Sequence, residues 1–301
     1  MENTYFFDSI SSYNNYNNQE TLHPLVSVID FSKANSRKGA KMHFGIYCIF
    51  MKEIHCGDLK YGCKHYDYEA GTLVFLSPGQ VIEVANKTTY YQPMGYGLVF
   101  HKDLLIGTSL GKLLKDYHFF QYHTKEALHL SEQERSLIID SLRHIKEELQ
   151  HPIDKHSKKL IASNIELFLN YCQRFYDRQF ITRSIENTGI LERFEQLLIA
   201  YFTSRELTLH GLPTVAHFAE KLHLSSNYFG DLIKKETGKS PTAYIQQYLI
   251  EQAKLKMSHS DQSIQEIAYE MGFKYPQHFS RLFKNIVGIS PKDFRQKINS
   301  Y

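Results

Sequence analysis

The 301-residue chain lacks the features that would mark a secreted, membrane-bound or disulfide-built protein. No apolar stretch approaches the roughly 20 residues of a membrane span, so no membrane partner is expected. The first 20 or so residues are rich in Asn, Ser and Tyr without an apolar core segment, so a signal peptide is not expected and a cytoplasmic location is. Cysteine is scarce. Cys48, Cys56, Cys63 and Cys172 do not make a disulfide framework in a chain of this size. His55-Cys56 and Cys63-Lys64-His65 form a soft nitrogen–sulfur cluster, but the spacing is not that of a zinc finger or ribbon. Reduced cysteines on adjacent strands are the simpler expectation, with zinc as the alternative. No Gly-rich phosphate loop, Ser/His/Asp or Cys/His set or paired carboxylates stand out. The expectation is therefore neither catalysis nor a resident cofactor or metal. Net charge is equally uninformative, with 35 Lys+Arg against 32 Asp+Glu.

What the chain does contain is one unit written twice. At an offset of 50 residues, Tyr228-Phe229-Gly230-Asp231-Leu232-Ile233-Lys234 lies over His278-Phe279-Ser280-Arg281-Leu282-Phe283-Lys284. Gly238, Ser240, Pro241 and Tyr244 lie over Gly288, Ser290, Pro291 and Phe294. Upstream the offset is 49, placing Thr214, Val215, Phe218, Ala219, Leu222 and Leu224 over Ser263, Ile264, Ile267, Ala268, Met271 and Phe273. Each unit predicts a short helix, a tight turn and a second helix. Thr214 and Ser263 are N-cap residues, and Ser263 to Glu266 is a capping box. Gly272, and His223 in the other unit, suit a turn that needs positive φ. Gly238 and Gly288 end the second helices, and Ser240-Pro241 and Ser290-Pro291 start the next. The run from Pro241 to about Met257 predicts a connecting helix of roughly 25 Å. With a turn at each end, it could hold two reading helices about 34 Å apart, one turn of B-DNA.

These residues resemble the AraC/XylS family of bacterial transcription regulators. The resemblance rests on Ile267-Ala268, Gly272-Phe273, Phe279, Phe283-Lys284, Gly288 and Ser290-Pro291, with Ser225, Phe229 and Lys234 to Gly238 in the first unit. It covers about 190–301 and implies a DNA-binding domain of two helix-turn-helix units, about 214–237 and 263–287, joined by a helix over about 241–257. The alternative is a tandem helical repeat used for protein contact. From Met271 onward six basic residues (Lys274, Arg281, Lys284, Lys292, Arg295, Lys297) face one acid, Asp293, the local excess that phosphate neutralisation needs. The DNA-contacting residues expected are Ser226, Asn227, Asp231 and Lys234 in the first unit. In the second they are Lys274, Tyr275, Gln277, His278, Arg281 and Lys284. Gln277 and Arg281 suit base edges, and the lysines suit phosphates.

The fold class expected is multidomain α+β. After a polar N-terminal arm (1–24), strand-like runs at Leu25–Ile29, Phe44–Phe50, Leu73–Leu76 and Gly97–Phe100 predict a small barrel or sandwich. Gly71 to Gly79 resembles the strand-and-turn segment of cupin-like barrels, which serve AraC-type regulators as effector domains. His65, Asp67 and Glu69 have the wrong spacing for a metal-binding cupin. Tyr47, Tyr66 and Tyr68 are candidate effector contacts, with ordinary barrel core as the alternative. Two helices follow, one capped by Ser131 to Glu134 and one from about Lys158 to Arg178. They complete a domain over 25–181, and either form a homodimer surface or only cover the barrel. A linker is expected at 182–189. The resulting reading is a sequence-specific regulator that binds double-stranded promoter DNA under control of a small cytoplasmic effector, with RNA polymerase as partner if it activates. Its rivals are a cupin-type metalloenzyme with a DNA-binding tail, and a regulator controlled by a partner protein.

Overall fold

The structure, a computed structural model, describes residues 4–52, 71–83, 90–182, 184–260 and 262–298. The Cys56, Cys63, His55 and His65 cluster, Asp67, Glu69, Tyr66 and Tyr68 lie outside the described residues. The chain divides into two compact units, 1–182 and 183–301.

The first unit is rich in sheet. Its strands are β1 (Thr4–Phe7), β2 (Val26–Asp30), β3 (Lys41–Phe44), β4 (Tyr47–Lys52), β5 (Thr72–Leu76), β6 (Val81–Glu83), β7 (Tyr96–Phe100) and β8 (Leu128–His129). They form a three-stranded sheet in the order β1-β3-β6 and a five-stranded sheet in the order β2-β7-β4-β5-β8. Helix α1 (Ile10–Tyr16) follows β1, and α2 (Ser109–Leu113) lies in a run of short turns between β7 and β8. Strands β4, β5 and β7 are buried on both faces, which is why they read as continuous apolar runs. One face supplies Cys48, Phe50, Val74, Leu76 and Val99 to a core shared with Phe44 of β3.

The N-terminal segment belongs to that core. The arm expected over 1–24 instead contributes Phe7, Ile10 and Tyr13, each at most 3% exposed. Tyr13 packs on Phe7, Phe44 and Phe50 with ring centroids 5.0, 5.7 and 6.1 Å apart. Polar composition hid this because one helical turn needs only Ile10 and Tyr13 on its inner face.

Helices α3 (Glu132–Gln150) and α4 (Ser157–Thr182) pack against each other. The Ser131 capping box is formed, with Glu134 reaching back to the Ser131 N–H at 2.8 Å. Arg178 of α4 grips both Glu134 oxygens, at 2.7 and 3.0 Å, and also the His129 carbonyl, fastening α4 to the start of α3 and to β8. The inner stripe of α3 is Ile138, Leu142, Ile145 and Leu149.

The second unit is helical: α5 (Ser184–Thr203), α6 (Glu206–His210), α7 (Val215–Lys221), α8 (Ser226–Thr237), α9 (Pro241–His259), α10 (Ile264–Glu270), α11 (Pro276–Val287) and α12 (Pro291–Ile298). The segment read as a linker is helical from Ser184 onward. No proline occurs between Pro152 and Pro213, so the sequence has no strong stop there. Phe194 of α5 meets Phe218 of α7 and Phe229 of α8, each at 5.1 Å between centroids. The second half of the core joins Leu249, Ile250, Ala253 and Met257 of α9 to Ile267, Ala268, Met271, Phe273, Phe279 and Phe283. Helix α9 therefore stands between the two repeats and packs on both. The Tyr244 hydroxyl donates to Glu195 of α5, and burial followed by that carboxylate pushes the phenol up to about 12.

Candidate nucleic-acid interface

Each repeat is built from the caps that its sequence carries. Thr214 Oγ1 accepts from the His217 N–H, Ser225 Oγ from Tyr228, Ser240 Oγ from Ala243 and Ser263 Oγ from Glu266. Glu266 returns a bond to the Ser263 N–H at 2.7 Å, which holds its carboxyl below the usual range. The turns take left-handed backbone where expected, with φ of +59° at His223 and +80° at Gly272. Gly238 and Gly288 close α8 and α11 at φ +72° and +87°.

Gly272 has a second constraint. A Cβ there would lie 2.9 Å from Leu207 Cδ1 and 3.1 Å from the Leu207 carbonyl oxygen. Leu207 belongs to α6, a helix too short to register as a period in the sequence, and it is 2% exposed. The same segment is tied down by Tyr201, whose hydroxyl donates to the Gly211 carbonyl at 2.9 Å. The turn of the second repeat is thus wedged against α6.

With Phe279 and Phe283 buried and Leu282 half-buried, α11 turns Gln277, His278, Arg281 and Lys284 outward, and all four are exposed. Gln277, Arg281 and Lys284 fall at i, i+4 and i+7, one helical face. Lys274 and Tyr275, exposed just before the helix, extend it: Lys274 Nζ is 5.8 Å from the Tyr275 ring centre, and that ring meets His278 edge-on at 5.5 Å. Tyr275 is the N-cap residue of α11 but provides no side-chain cap, and Pro276 follows at the first helical position. The six residues expected in the second repeat are therefore gathered on one exposed surface.

The first repeat differs. Ser226 and Lys234 are exposed, but Asn227, Gly230 and Asp231 are half-buried, and neither Asn227 nor Asp231 is without a partner. Tyr228, the counterpart of exposed His278, is 6% exposed and belongs to the core. Arg295 also departs from the basic surface read from the sequence. Its Nη1 donates to the Gln262 carbonyl at 2.5 Å, and its Nε and Nη2 are buried. It braces α12 against the start of the second repeat, a role that charge counting had no means of separating from phosphate contact.

Of the proposed effector contacts, Tyr47 is described. It lies on the opposite face of the sheet from Cys48 and Phe50, as strand alternation requires. Its ring stacks on Phe100 at 5.0 Å and meets Phe120 edge-on at 5.4 Å, and burial pushes its phenol up. Among the described residues no group of three or more His, Cys, Asp or Glu could hold a metal ion. No described helix is long and apolar enough to cross a membrane.

Residues 218–297 match a family model described as a helix-turn-helix domain. The chain is 34% identical over 87 residues to the uncharacterized HTH-type transcriptional regulator YtdP of Bacillus subtilis, covering 29% of this chain and 11% of that protein. With the uncharacterized transcriptional regulatory protein YesN of the same organism, identity is 38% over 127 residues, 42% of this chain and 33% of that one. With the HTH-type transcriptional activator RhaS of Citrobacter koseri it is 37% over 78 residues, 26% and 28% respectively. The matches thus span between 11% and 33% of the relatives' own lengths.

Proposed function

From the premise that the C-terminal unit carries an AraC-type helix-turn-helix domain, we propose that the chain is a one-component regulator that binds promoter DNA sequence-specifically through α11. The observation that carries this reading is the single exposed surface of Lys274, Tyr275, Gln277, His278, Arg281 and Lys284. Arg281 suits a guanine edge and Gln277 an adenine edge, while Lys274 and Lys284 suit phosphates. Ser226, Asn227, Asp231 and Lys234 make the weaker contribution, Lys234 to phosphate. The boundaries that go with this are a sensor and dimerisation domain up to about 181 and a DNA-binding domain from about 190.

The cupin-like first unit is the sensor, acting in the cytoplasm as a homodimer, with RNA polymerase as partner if the chain activates. Supporting dimerisation, α4 leaves Leu160 and Leu167 49% and 51% exposed, seven residues apart on one face, with Leu137 of α3 also 42% exposed. A ligand acts only by binding one state better than another, so the effector must alter how dimer and sensor present α8 and α11. Control by a protein partner is the second reading, favoured by the close aromatic packing around Tyr13 between the sheets.

The test is a gel-shift titration of the full chain and of residues 183–301 on single and repeated copies of a genomically mapped site, with cell extract added. The full chain is expected to bind the repeated site more tightly and to respond to extract, by raising effective concentration. Equal affinity of both, unmoved by extract, leaves only the DNA-binding half of the reading. If the response survives removal of molecules below protein size from the extract, the partner reading replaces the effector one.

A further inference from the structure

Among the described residues, Arg37 has only neutral hydrogen-bond and ring partners. It sits in the segment before β3, fixed by a two-bond bridge to Tyr91: Arg37 N–H to the Tyr91 carbonyl at 3.0 Å and the reverse bond at 2.9 Å. Its guanidinium lies over the Tyr16 ring, 4.5 Å from the centre, and Nη1 donates to Asn17 Oδ1 at 2.9 Å. Asn17 is itself locked, buried at the end of α1 and donating to the Tyr13 carbonyl at 2.8 Å. The Nε of Arg37 is buried and has no hydrogen-bond partner among the described residues. A buried donor left unpaired is destabilising, more so on a charged group, and such exceptions in a folded chain call for an explanation.

The Tyr16 phenol lies against it, and other phenols gather around Tyr16. Tyr5 meets Tyr16 at 4.8 Å between ring centres. Burial pushes the Tyr16 phenol up, the guanidinium opposes that, and Tyr5 and Tyr91 are close enough to add to the rise. Resting on the sensor reading above, we propose that Arg37, with Tyr5, Tyr16 and Tyr91, is a binding site for a small molecule carrying a carboxylate or phosphate group. The Nε edge of a guanidinium takes such an oxyanion in bidentate fashion, and phenols add hydroxyl donors and stacking surface. The core between the sheets is filled by Phe7, Tyr13, Phe44 and Phe50, whereas Arg37 is partly open to solvent. Because Arg37 bonds both to α1 and to the Tyr91 strand bridge, an anion there would join the N-terminal segment to the strands.

The experiment uses the full chain without DNA, with inorganic phosphate, acetate and gluconate as probes against chloride at equal ionic strength. Thermal midpoint and intrinsic fluorescence are read together. The chain has 21 tyrosines and no tryptophan, so the emission reports on phenols. At least one probe is expected to raise the midpoint and change the emission of wild type. Arg37→Gln should weaken that probe at least tenfold, and Arg37→Lys less, since lysine keeps the charge but not the fork. Tyr16→Phe, which removes only a hydroxyl, should weaken it several-fold and serves if Arg37→Gln does not fold. An unchanged response in the Arg37 variants or, failing those, in Tyr16→Phe places the anion elsewhere and overturns the proposal. So does absence of any response in wild type. Arg37-dependent binding upholds the site, and a gel shift with the same probe in which DNA affinity does not move removes only its regulatory reading.

Discussion

Lys256, in the last turn of α9, places its Nζ 2.5 Å from Oε2 of Glu270, the final residue of α10. The other Glu270 oxygen accepts from Gln262, whose carbonyl takes the Arg295 guanidinium. One carboxylate thus links the connecting helix, the segment before α10 and, through Gln262, α12. The Lys256 bond first of all holds the Glu270 carboxyl below its usual 4.5. A depressed carboxyl stabilises the fold above the unfolded value and loses that contribution as pH falls through the folded one. Both side chains are about two-fifths exposed, so solvent screening limits the pair to about 0.2–1 kcal/mol. Glu270→Gln should lower stability by that order at pH 7. In denaturant titrations from pH 7 downward, the gap between variant and wild type should close as pH falls through the folded value, and a constant gap would refute the linkage.

The wedge of Gly272 against Leu207 makes two glycines unequal. Gly238 has φ of +72°, but a Cβ added there would meet nothing within 4 Å, so Gly238→Ala pays only the left-handed backbone cost of about 1–2 kcal/mol. Gly272→Ala adds crowding: Leu207 Cδ1 can swing aside, but the Leu207 carbonyl at 3.1 Å and the Gly211 backbone at 3.2 Å must both give by a few tenths of an ångström. It should cost about 2–4 kcal/mol and weaken DNA binding by displacing α11. Chemical denaturation of both variants decides it, and equal losses would mean that α6 yields freely.

Arg281→Ala should cost about 1–3 kcal/mol in binding and relax preference at one base pair. Selection of bound sequences from a randomised pool measures both. Unchanged affinity and selectivity would remove Arg281 from base reading.

Lys284→Gln should weaken cognate and random DNA alike and lower the salt slope by about one unit. Lys234→Gln should do the same in the first repeat. Loss confined to the cognate site would make these lysines base readers. No change at all would make them solvated charges that only complement the helix ends.

Tyr13→Ala should destabilise the first unit by about 3–5 kcal/mol, as large aromatic truncations in a packed core do. A chain lacking residues 1–17 should fail to fold its sheets. If far-ultraviolet circular dichroism of that truncation matched wild type, the N-terminal segment would be an appendage after all.

The repeats were legible in the sequence because their stops are chemical. Thr214, Ser240, Ser263, Gly238, Gly272 and Gly288 each enforce a local geometry regardless of what packs around them. The same holds for the Ser131 box, and the β-branched or aromatic runs of β2, β5 and β7 were legible between their turn residues. Helices α1 and α6 were not legible, since a one- or two-turn helix exists only because tertiary contacts such as Tyr13 on Phe44, or Leu207 on Gly272, hold it. At the candidate interface, the residue types on α11 announced themselves through the repeat. The inward turn of Arg295 and the burial of Tyr228 did not, because a side chain's direction depends on neighbours brought together from distant parts of the chain.

Helix α9 runs 19 residues without interruption and is anchored to α5 at one end and to α10 at the other. Inserting a single residue would rotate everything beyond it by about 100° and advance it by about 1.5 Å. If both repeats read one duplex, its surface side chains can drift while its length is held in phase with the pitch of that duplex. Half-site spacing in a cognate operator would then be recorded in a backbone residue count, which makes single-residue insertions and deletions, rather than substitutions, the changes this helix tolerates least.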